Sequence, residues 1–436
     1  MKKTTTLFFL FLIFSFIKIN AQRALHMREH NLIDTRADSL IVGQLSLKGI
    51  DFSSNNKVIL LTSGREKFED LFTAIKQAKS SIHMEYFNFR NDSIVEKLIE
   101  LLSTKAKEGV EVRLIYDSFG NASNNKPLKK EHIENIRSSG IQIHEFDPIR
   151  FPWINHVFSR DHRKIIVIDG RIAYTGGMNI ADYYINGTKK VGNWRDMHCR
   201  IEGSEVNTLQ EIFLETWYET TGEIITGKKY YQGGQNSGDN FKGLKQNDCE
   251  SEGNKTVGII NRVPRKSSDI IRFFYENAIN NAKENIKIIN PYFTLSRRLK
   301  KALNNAVERG VKVEIMLSVN NDILLTPDCG FYNAHKLMKK GTDVWMYKPG
   351  FHHTKVIMVD NQFCTIGSAN LNSRSLRWDY EENAVIIDEC TTKQLSELFD
   401  ADKKDSFLLT PKTWDEFRTP WQKIRGWFAN LLSPFL

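Results

Sequence analysis

Two short stretches of the chain carry a histidine and a lysine at the same spacing. They read "HRKIIVID" from His162 and "HTKVIMVD" from His353. Side chains at positions i and i+2 of a strand point to the same face, so each histidine shares a face with its lysine, Lys164 or Lys355. An imidazole can attack phosphorus or protonate a leaving alcohol, and ammonium groups stabilise an anionic transition state. The pattern therefore favours phosphodiester chemistry.

Each stretch continues with a further shared pattern at identical spacing. The residues that follow the motif are Gly176, Gly177 and Asn179 in the first copy and Gly367, Ser368 and Asn370 in the second. A lone histidine is more often structural than catalytic, but two complete copies favour catalysis. Both asparagine amides would then lie in one anion-binding pocket. The motif aspartates, Asp169 and Asp360, lie seven residues after their histidines. As motif residues they count among the catalytic candidates, but an unbroken strand would aim them at the other face, so we expect them to orient the backbone rather than to perform chemistry.

The duplication extends through most of the chain. The stretch "AIKQAKSSIHMEYFNF" from Ala74 matches "AINNAKENIKIINPYF" from Ala278, and each half continues with a helix, a glycine (Gly109 or Gly310) and an alternating strand. This order predicts an α/β fold of two similar lobes, each a mixed or parallel sheet flanked by helices, packed face to face with the active site between them. The predicted boundaries are a signal peptide (1–21), an N-terminal lobe (22–226), a polar linker or loop (227–255), a C-terminal lobe (256–400) and a tail with an amphipathic helix (401–436).

The N-terminus has the order of an export signal. Lys2 and Lys3 precede an apolar run from Leu7 to Ile17, and Ala21 supplies a small residue before Gln22. Eleven apolar residues are too few to span a bilayer comfortably, although a buried first strand or a short uncleaved anchor fits the same pattern. We expect an exported protein of the cell envelope, periplasmic or on the outer face, associated with the membrane.

The composition of the chain limits which partners and cofactors are expected. The net charge of +9 favours anionic partners, but the chain shows no groove-binding nucleic-acid module, so nucleic acid is disfavoured. The five cysteines are scattered without the paired spacing of a zinc site, and we predict no metal and no other cofactor. One disulfide is compatible with export and would leave at least one free thiol. The oligomeric state is left open.

The duplicated "HRKIIVID…GGMN" and "HTKVIMVD…GSAN" resemble the paired motifs of the phospholipase D superfamily. Further stretches, including "NWRDMHCRIEG", "INPYF" and "GSANLNSRSLRWDYEENAVI", resemble its bacterial cardiolipin synthase branch. The resemblance implies a two-lobe fold, a phosphohistidine intermediate and no metal. By position, it implies that His162 is the nucleophile and His353 the general acid, that Glu381 supports a histidine, and that Asp196 is the counterpart of Glu381. The implied phosphate-binding groups are Lys164, Lys355, Asn179 and Asn370, joined by Ser368, whose place in the first copy is taken by Gly177.

Three functions are compatible with these residues to different degrees. The first is a phosphatidyltransferase that joins two molecules of phosphatidylglycerol, an anionic phospholipid, into cardiolipin plus glycerol. The alternative is a phospholipase D-type phosphodiesterase that hydrolyses lipid headgroups or, with less support, nucleic acid, since water competes with an alcohol for the same intermediate. A binding or scaffolding role on a degenerate enzyme fold is disfavoured because both histidines, lysines and asparagines are intact.

The C-terminus offers a route to the membrane surface. In "WQKIRGWFANLLSPFL" the apolar residues recur at helical spacing, with Thr419-Pro420 as a start signal and basic residues between them. The apolar positions are Trp421, Ile424, Phe428, Leu431, Leu432 and Phe435. Such a helix fits a lipid interface, but it would equally fit a terminal helix packed on the protein's own core. The aromatic segment "RFPWINHVF" from Arg150 is a candidate border of the substrate entrance.

Overall fold

The computed structural model describes residues 36–149, 158–234, 253–323 and 325–434. The predicted signal peptide, most of the aromatic segment from Arg150 and the centre of the predicted linker lie outside these ranges. Within them, no helix is both long enough and apolar enough to cross a bilayer.

The first half of the chain alternates strands and helices as the repeat predicts. Its strands are β1 (Phe52–Leu61), β2 (Ser81–Tyr86), β3 (Glu111–Asp117), β4 (Gln142–Phe146), β5 (Lys164–Ile168), β6 (Ile172–Gly176), β7 (Asn193–Arg195) and β8 (His198–Glu202). Its helices are α1 (Ala37–Ser46), α2 (Gly64–Gln77), α3 (Ser93–Lys107), α4 (Ser118–Ala122), α5 (Lys130–Ser138), α6 (Tyr183–Asn186) and α7 (Glu205–Thr221), followed by a 3₁₀ turn at Lys228–Tyr230.

The second half repeats this order and then adds a helical tail. Its strands are β9 (Lys255–Arg262), β10 (Asn285–Ile289), β11 (Lys312–Ser318), β12 (Asp343–Tyr347), β13 (Gly350–His352), β14 (Val356–Val359), β15 (Phe363–Gly367), β16 (Glu381–Ile387) and β17 (Ser406–Leu408). Its helices are α8 (Ile270–Asn281), α9 (Arg297–Glu308), α10 (Thr326–Met338), α11 (Ser373–Arg377), α12 (Glu389–Asp402), α13 (Pro411–Phe417) and α14 (Pro420–Leu431), with a 3₁₀ turn at Lys403–Asp405.

Local sequence signals explain where the main helices begin and end. Ser63 and Ser296 cap α2 and α9 by accepting bonds from the backbone N–H of the third residue on. Gly109 and Gly310, which follow α3 and α9, adopt φ of 92° and 88°, a conformation that costs glycine little. The glycine positions expected from the repeat are therefore confirmed, and each turns the chain into the next parallel strand.

Among the described residues, fifteen strands form one mixed sheet. The order is β17-β12-β11-β10-β14-β15-β16-β9-β1-β8-β6-β5-β2-β3-β4. Strands β2, β3 and β4 are parallel, as are β10, β11 and β12, and the pairings between these two groups are antiparallel. The α/β fold with two flanked lobes is thus confirmed. The sequence did not predict that β1 and β9 would pair antiparallel and join the lobes edge to edge.

The lobes also share a core, so the sheet is not a flat ribbon. Strand β6 contacts β15 and β16 although four strands separate β6 from β15 along the sheet's order, and buried side chains from both halves form one cluster. Val58 and Ile201 of the first half meet Ile259 and Ile386 of the second in that cluster. The inner faces therefore pack together as expected, in addition to the edge pairing. Each lobe keeps a further core of its own, and α1 belongs to that of the second half.

Candidate active site

The two motif histidines lie just outside the strands that the sequence assigned them to. His162 precedes β5 by two residues, and His353 lies between β13 and β14. Strand β5 runs antiparallel to β2, so its start lies at the carboxyl end of the parallel strands, where Lys164 pairs with Tyr86. Strand β14 begins at the same end of β10. This edge is where α/β sheets commonly place their ligands, and both motifs open there toward the lobe interface.

Each histidine is held by a carboxylate from the opposite half of the chain. His162 Nδ1 lies 3.3 Å from the Glu381 carboxylate, and His353 Nδ1 lies 2.7 Å from Asp196 Oδ2. Backbone bonds reinforce both pairs, since the N–H groups of His162 and His353 donate to Tyr380 O at 3.0 Å and Arg195 O at 2.7 Å respectively. With Nδ1 of each ring held by a carboxylate, Nε2 is the nitrogen placed to react, and at His353 it lies 3.1 Å from Lys355 Nζ.

The charges of the site keep both carboxylates ionised. Burial raises the pKa of Glu381, but His162, Lys164 and the Ser368 hydroxyl outweigh it and bring the value to about 2. Burial likewise opposes ionisation of Asp196, yet Lys355 and His353 hold its pKa below the usual range. Each carboxylate can therefore accept an Nδ1–H and stabilise an imidazolium.

Burial disfavours the charged form of His353 as it does that of the carboxylates, but for an imidazole this lowers the pKa. It lowers the pKa of this imidazole to about 4, and the positive charge of Lys355 acts in the same direction, together outweighing Asp196. The His353 side chain is 8% exposed, compared with 17% for His162. His353 is therefore neutral at pH 7 in the unliganded site, and it is the less accessible of the two rings.

Both motif lysines are buried beside the histidines. Lys355 Nζ lies 3.0 Å from His353 Nδ1 and donates to His353 O at 2.5 Å, and Lys164 Nζ donates to His162 O. Burial lowers the pKa of Lys355 to about 8 and also lowers that of Lys164. The charge of Lys164 also disfavours the ammonium of Lys355, and an anion beside the two lysines would offset this effect.

The motif asparagines complete the pocket. Asn179 and Asn370 follow β6 and β15, which end beside the starts of β5 and β14, and both are buried. Within the part of the chain described, Oδ1 of neither asparagine has a hydrogen-bond partner. A phosphate accepts hydrogen bonds, so Nδ2 of each amide is the group that could bind it, and the Asn179 side chain also hydrogen-bonds Tyr183.

The difference between Ser368 and Gly177 has a steric cause. Ser368 Oγ donates to Glu381, whereas a Cβ built on Gly177 would lie 2.3 Å from Asp196 Oδ1. Aspartate is one methylene shorter than glutamate, so its carboxylate sits against the backbone of the loop. A side chain at position 177 would displace the group that holds His353.

The motif aspartates lie away from the pocket. Asp169 accepts bonds from the backbone N–H groups of residues 79, 80 and 81 at 2.7–3.0 Å, and Asp360 does the same for residues 283, 284 and 285 at 2.8–2.9 Å. Both adopt a positive φ, 53° and 52°. They fasten the turns before β2 and β10 at the far end of β5 and β14, which agrees with the expected backbone role and excludes contact with a phosphate at the histidines.

Sequence reasoning missed two buried charged residues of the site. Lys67 on α2 donates to Met178 O at 2.9 Å and Asn179 O at 3.2 Å, and so holds the loop that carries the first asparagine. The repeat could not reveal it, because Ile271 stands at the corresponding position. Glu382 accepts from Thr175 Oγ1 at 2.6 Å across the lobes, and burial raises its pKa to about 7. The sequence feature that could have indicated Glu382 was its position directly after Glu381.

Within the described ranges, no group of three or more His, Cys, Asp or Glu side chains is placed to hold a metal ion. The polar groups around the two histidines are instead lysines, asparagines and the two supporting carboxylates.

Comparison with known proteins identifies the duplicated arrangement. Residues 71–217 and 275–403 both match the family described as "Cardiolipin synthase, PLD-like domain". The chain belongs to this family. The two matched segments coincide with the two lobes that carry His162 and His353, so the resemblance seen in the motifs is confirmed.

Individual members of the family align over most of the chain. Cardiolipin synthase 1 of Staphylococcus epidermidis is 34% identical over 387 residues, which cover 88% of this chain and 75% of the relative. Cardiolipin synthase of Oceanobacillus iheyensis is 32% identical over 427 residues, covering 96% and 85%. Among solved structures, phosphatidylserine synthase of Haemophilus influenzae superposes with a TM-score of 0.67 at 16% identity, covering 90% of this chain and 99% of that one. That likeness supports the two-lobe fold.

Proposed function

We propose that this protein is a cardiolipin synthase-like phosphatidyltransferase that converts two molecules of phosphatidylglycerol into cardiolipin and glycerol through a phosphohistidine. The observation that carries the proposal is the pair of histidines, each held at Nδ1 by a carboxylate of the other lobe and flanked by a buried lysine. Family membership and cardiolipin synthases at 32–34% identity support the same reaction.

In the first step, neutral His162 Nε2 attacks the phosphorus of one phosphatidylglycerol. The P–O bond to the glycerol headgroup breaks, and the glycerol oxygen takes a proton from His353. In the second step, the headgroup hydroxyl of another phosphatidylglycerol gives its proton to His353 and attacks phosphorus. The P–N bond then breaks and returns neutral His162. Lys164, Lys355 and the two asparagine amides stabilise the charge on the phosphoryl oxygens in both steps.

The low pKa of His353 fits this cycle when the substrate's own charge is included. Burial, and after it the charge of Lys355, disfavours the imidazolium. A phosphodiester anion bound between the lysines offsets their charge, so the pKa of His353 rises as the substrate binds. Asp196, ionised beside Nδ1, then stabilises the imidazolium. His353 therefore gains its proton as the substrate binds, when a leaving group is present.

Transfer and hydrolysis differ only in the acceptor for the phosphatidyl group, and burial of the site favours the transferase. With both histidine side chains mostly buried, at 17% and 8% exposed, little of the intermediate's surroundings faces bulk water. Phospholipase D-type hydrolysis is the second candidate.

The test is to incubate the purified protein with phosphatidylglycerol vesicles, with and without phosphatidylethanolamine, and to identify the products by mass spectrometry. We expect cardiolipin and glycerol. Phosphatidic acid as the sole lipid product would replace the proposal with a hydrolase, and a cardiolipin yield that requires phosphatidylethanolamine would change the donor or acceptor.

We further propose that the protein is exported and works on the envelope side of a membrane. The signal pattern of residues 1–21 supports this. So does the disulfide at Cys390, since disulfides persist in oxidising compartments, whereas Cys199, Cys329 and Cys364 are free and buried. N-terminal sequencing of the protein from fractionated cells tests the proposal: a mature terminus at Gln22 in an envelope fraction is expected, and a terminus at Met1 in the cytosolic fraction would overturn it.

A further inference from the structure

Helix α14 exposes its apolar face to solvent, whereas a surface helix usually buries it. Its apolar side chains face outward and are about half exposed or more: Trp421 69%, Ile424 55%, Trp427 51%, Phe428 52% and Leu431 54%. At 100° per residue these five positions fall within one sector of about 120°. This apolar face therefore does not pack on the protein's own core, whereas the helix itself lies against α10.

The opposite face of α14 is firmly attached to the protein. Gly426 and Ala429 are buried, and a Cβ on Gly426 would lie 2.9 Å from Asp328 O, so the helix backbone lies directly against α10. Arg425 donates to Asp328 at 2.6 Å, and Asn430 accepts from Lys300 of α9 at 3.1 Å. Since small and polar residues hold the helix in place, its aromatic face cannot turn inward without breaking these contacts.

The end of α14 is tied to the active-site loops. Ser373 Oγ donates to Ser433 O at 2.6 Å, at the first residue of the short helix α11. The backbone N–H of Asn370 donates to Ser375 Oγ of the same helix at 3.1 Å. Five helical residues span only about 7.5 Å, so the apolar face of α14 ends close to the asparagine that would bind phosphate.

A second exposed aromatic pair lies at the other end of α11. Trp378, 41% exposed, follows α11 and contacts Phe158, 59% exposed, at 6.2 Å between ring centroids. Phe158 is four residues before His162, and Trp378 is three before Glu381. Exposed apolar surface therefore brackets the histidine that would carry the phosphatidyl group.

We propose that α14 and the Phe158–Trp378 pair form a membrane-docking surface that sets the mouth of the active site against the headgroups of an anionic bilayer. The inference rests on the proposed function for the identity of the substrate, but the surface has the chemistry of an interfacial segment in its own right. Tryptophans favour the interface. Lys423 and Arg425 flank the apolar sector on its two sides, but Lys423 pairs with Asp415 and Arg425 with Asp328, both at 2.6 Å, so these two add little net charge. Helix α9, in contact with α14, adds exposed basic residues in its first turns: Arg297, Arg298 and Lys301.

This charge decides between a bilayer and a second copy of the chain as the occupant. A self-association face would bring the same basic residues of two copies together, which is unfavourable, whereas anionic lipid complements them. Docking in this orientation would let phosphatidylglycerol reach the histidines by lifting its headgroup into the pocket, while its acyl chains stay in the membrane.

The test uses the full-length protein and vesicles of brominated lipid, either phosphatidylglycerol with phosphatidylcholine or phosphatidylcholine alone. Quenching of tryptophan fluorescence reports insertion of α14 and Trp378, and the signal-like segment 1–21 contains no tryptophan that would confuse it. The variant is Ile424→Glu with Phe428→Glu. The matched control is Leu47→Glu with Ile224→Glu, which places the same two charges on apolar residues that are 87% and 73% exposed and lie outside the proposed surface. Thermal unfolding checks that both variants remain folded.

We expect quenching on vesicles that contain phosphatidylglycerol, weaker binding in high salt, and at least about a tenfold weaker partition for the double variant. The control with Glu at positions 47 and 224 should bind as the wild type does. Equal partition of the double variant and the wild type would overturn the proposal. A dimer by light scattering that the double variant converts to monomers, with vesicle binding unchanged, would assign the face to a second copy. If the wild type docks but never forms cardiolipin, the docking surface stands and the proposed function falls.

Discussion

At the scale of single residues, the site is built from two imidazoles whose supporting groups come from elsewhere in the chain. His162 and Glu381 are 219 residues apart, and His353 and Asp196 are 157 apart. Neither half contains both members of either of these two pairs. The chemistry therefore depends on residue pairs that are adjacent only after the lobes have joined.

The roles of the two histidines can be separated by trapping the covalent intermediate. With a nitrophenyl diester, whose leaving group departs without an acid, His353→Ala should still form phosphoenzyme because protonation adds little. His162→Ala should form none with any substrate. Acid quench followed by intact-mass measurement reads the adduct. An adduct on His162→Ala that is absent from His353→Ala would exchange the two roles.

The lysine charge predicts a basic limb in the pH profile. Burial lowers the pKa of Lys355 to about 8, so the ammonium is present below that pH and is lost above it. Because the cation stabilises the phosphoryl oxygens, kcat/KM for a soluble diester should fall as the pH rises through about 8.

Lys355→Arg is the control, since a guanidinium remains charged far above this range. Its residual activity should show no limb near pH 8. The same limb in the variant would assign the titration to another group.

Positive charge supplied by side chains also predicts the response to chelators. The lysines and a protonated histidine take the place that a divalent ion occupies in many phosphoryl-transfer sites. Turnover of phosphatidylglycerol should therefore be unchanged after prolonged treatment with a chelator, measured by lipid mass spectrometry. Loss of activity that an added divalent ion restores would contradict this.

At the scale of elements, the two copies of the motif are alike in their strands and different in the loops that follow. Ser368 bonds the longer Glu381 carboxylate, whereas Gly177 leaves room for the shorter Asp196. Gly177→Ser would make the first copy resemble the second in sequence. It would also push Asp196 away from His353 by the overlap of its Cβ.

Gly177→Ser should therefore lower kcat by about 100-fold, the scale of a misplacement of about 1 Å in an active site. Ser368→Ala, which removes one hydrogen bond and adds no bulk, should lower kcat less. Steady-state kinetics on both purified variants, with circular dichroism to verify folding, make the comparison. Equal losses would mean that the space beside Asp196 is not what matters.

At the scale of the whole molecule, the edge pairing of β1 with β9 and the shared core predict that the two lobes unfold as one cooperative unit. Unfolding by denaturant, followed by tryptophan fluorescence and by far-ultraviolet circular dichroism, should give one coincident transition. Ile259→Ala, in the shared core and 3% exposed, should destabilise the whole protein by about 2–5 kcal/mol. The exposed control Ile224→Ala should change stability by no more than about 0.5 kcal/mol. Two separate transitions in the wild type would contradict the single unit.

The sequence was sufficient to predict the features that repeat along the chain or depend on neighbouring residues. The His-x-Lys pairs, the asparagines, the glycines that end α3 and α9 and the α/β order of both lobes follow from spacing, and strand and helix periodicity depends on neighbours a few residues apart. The separate role of Asp169 and Asp360 also follows from counting along a strand. These features are the ones that the structure reproduces.

Tertiary structure alone decided the features that join distant residues. Which lobe supports each histidine, why Gly177 lacks a side chain, how Lys67 holds the asparagine loop and which face of α14 meets the solvent are not periodic properties. They depend on contacts across the lobe interface or against α10, where burial, charge and close approach of backbones are set by segments up to about two hundred residues apart. An amphipathic pattern shows that a helix has two faces, but the packing of Gly426 and Asp328 determines which of them is buried.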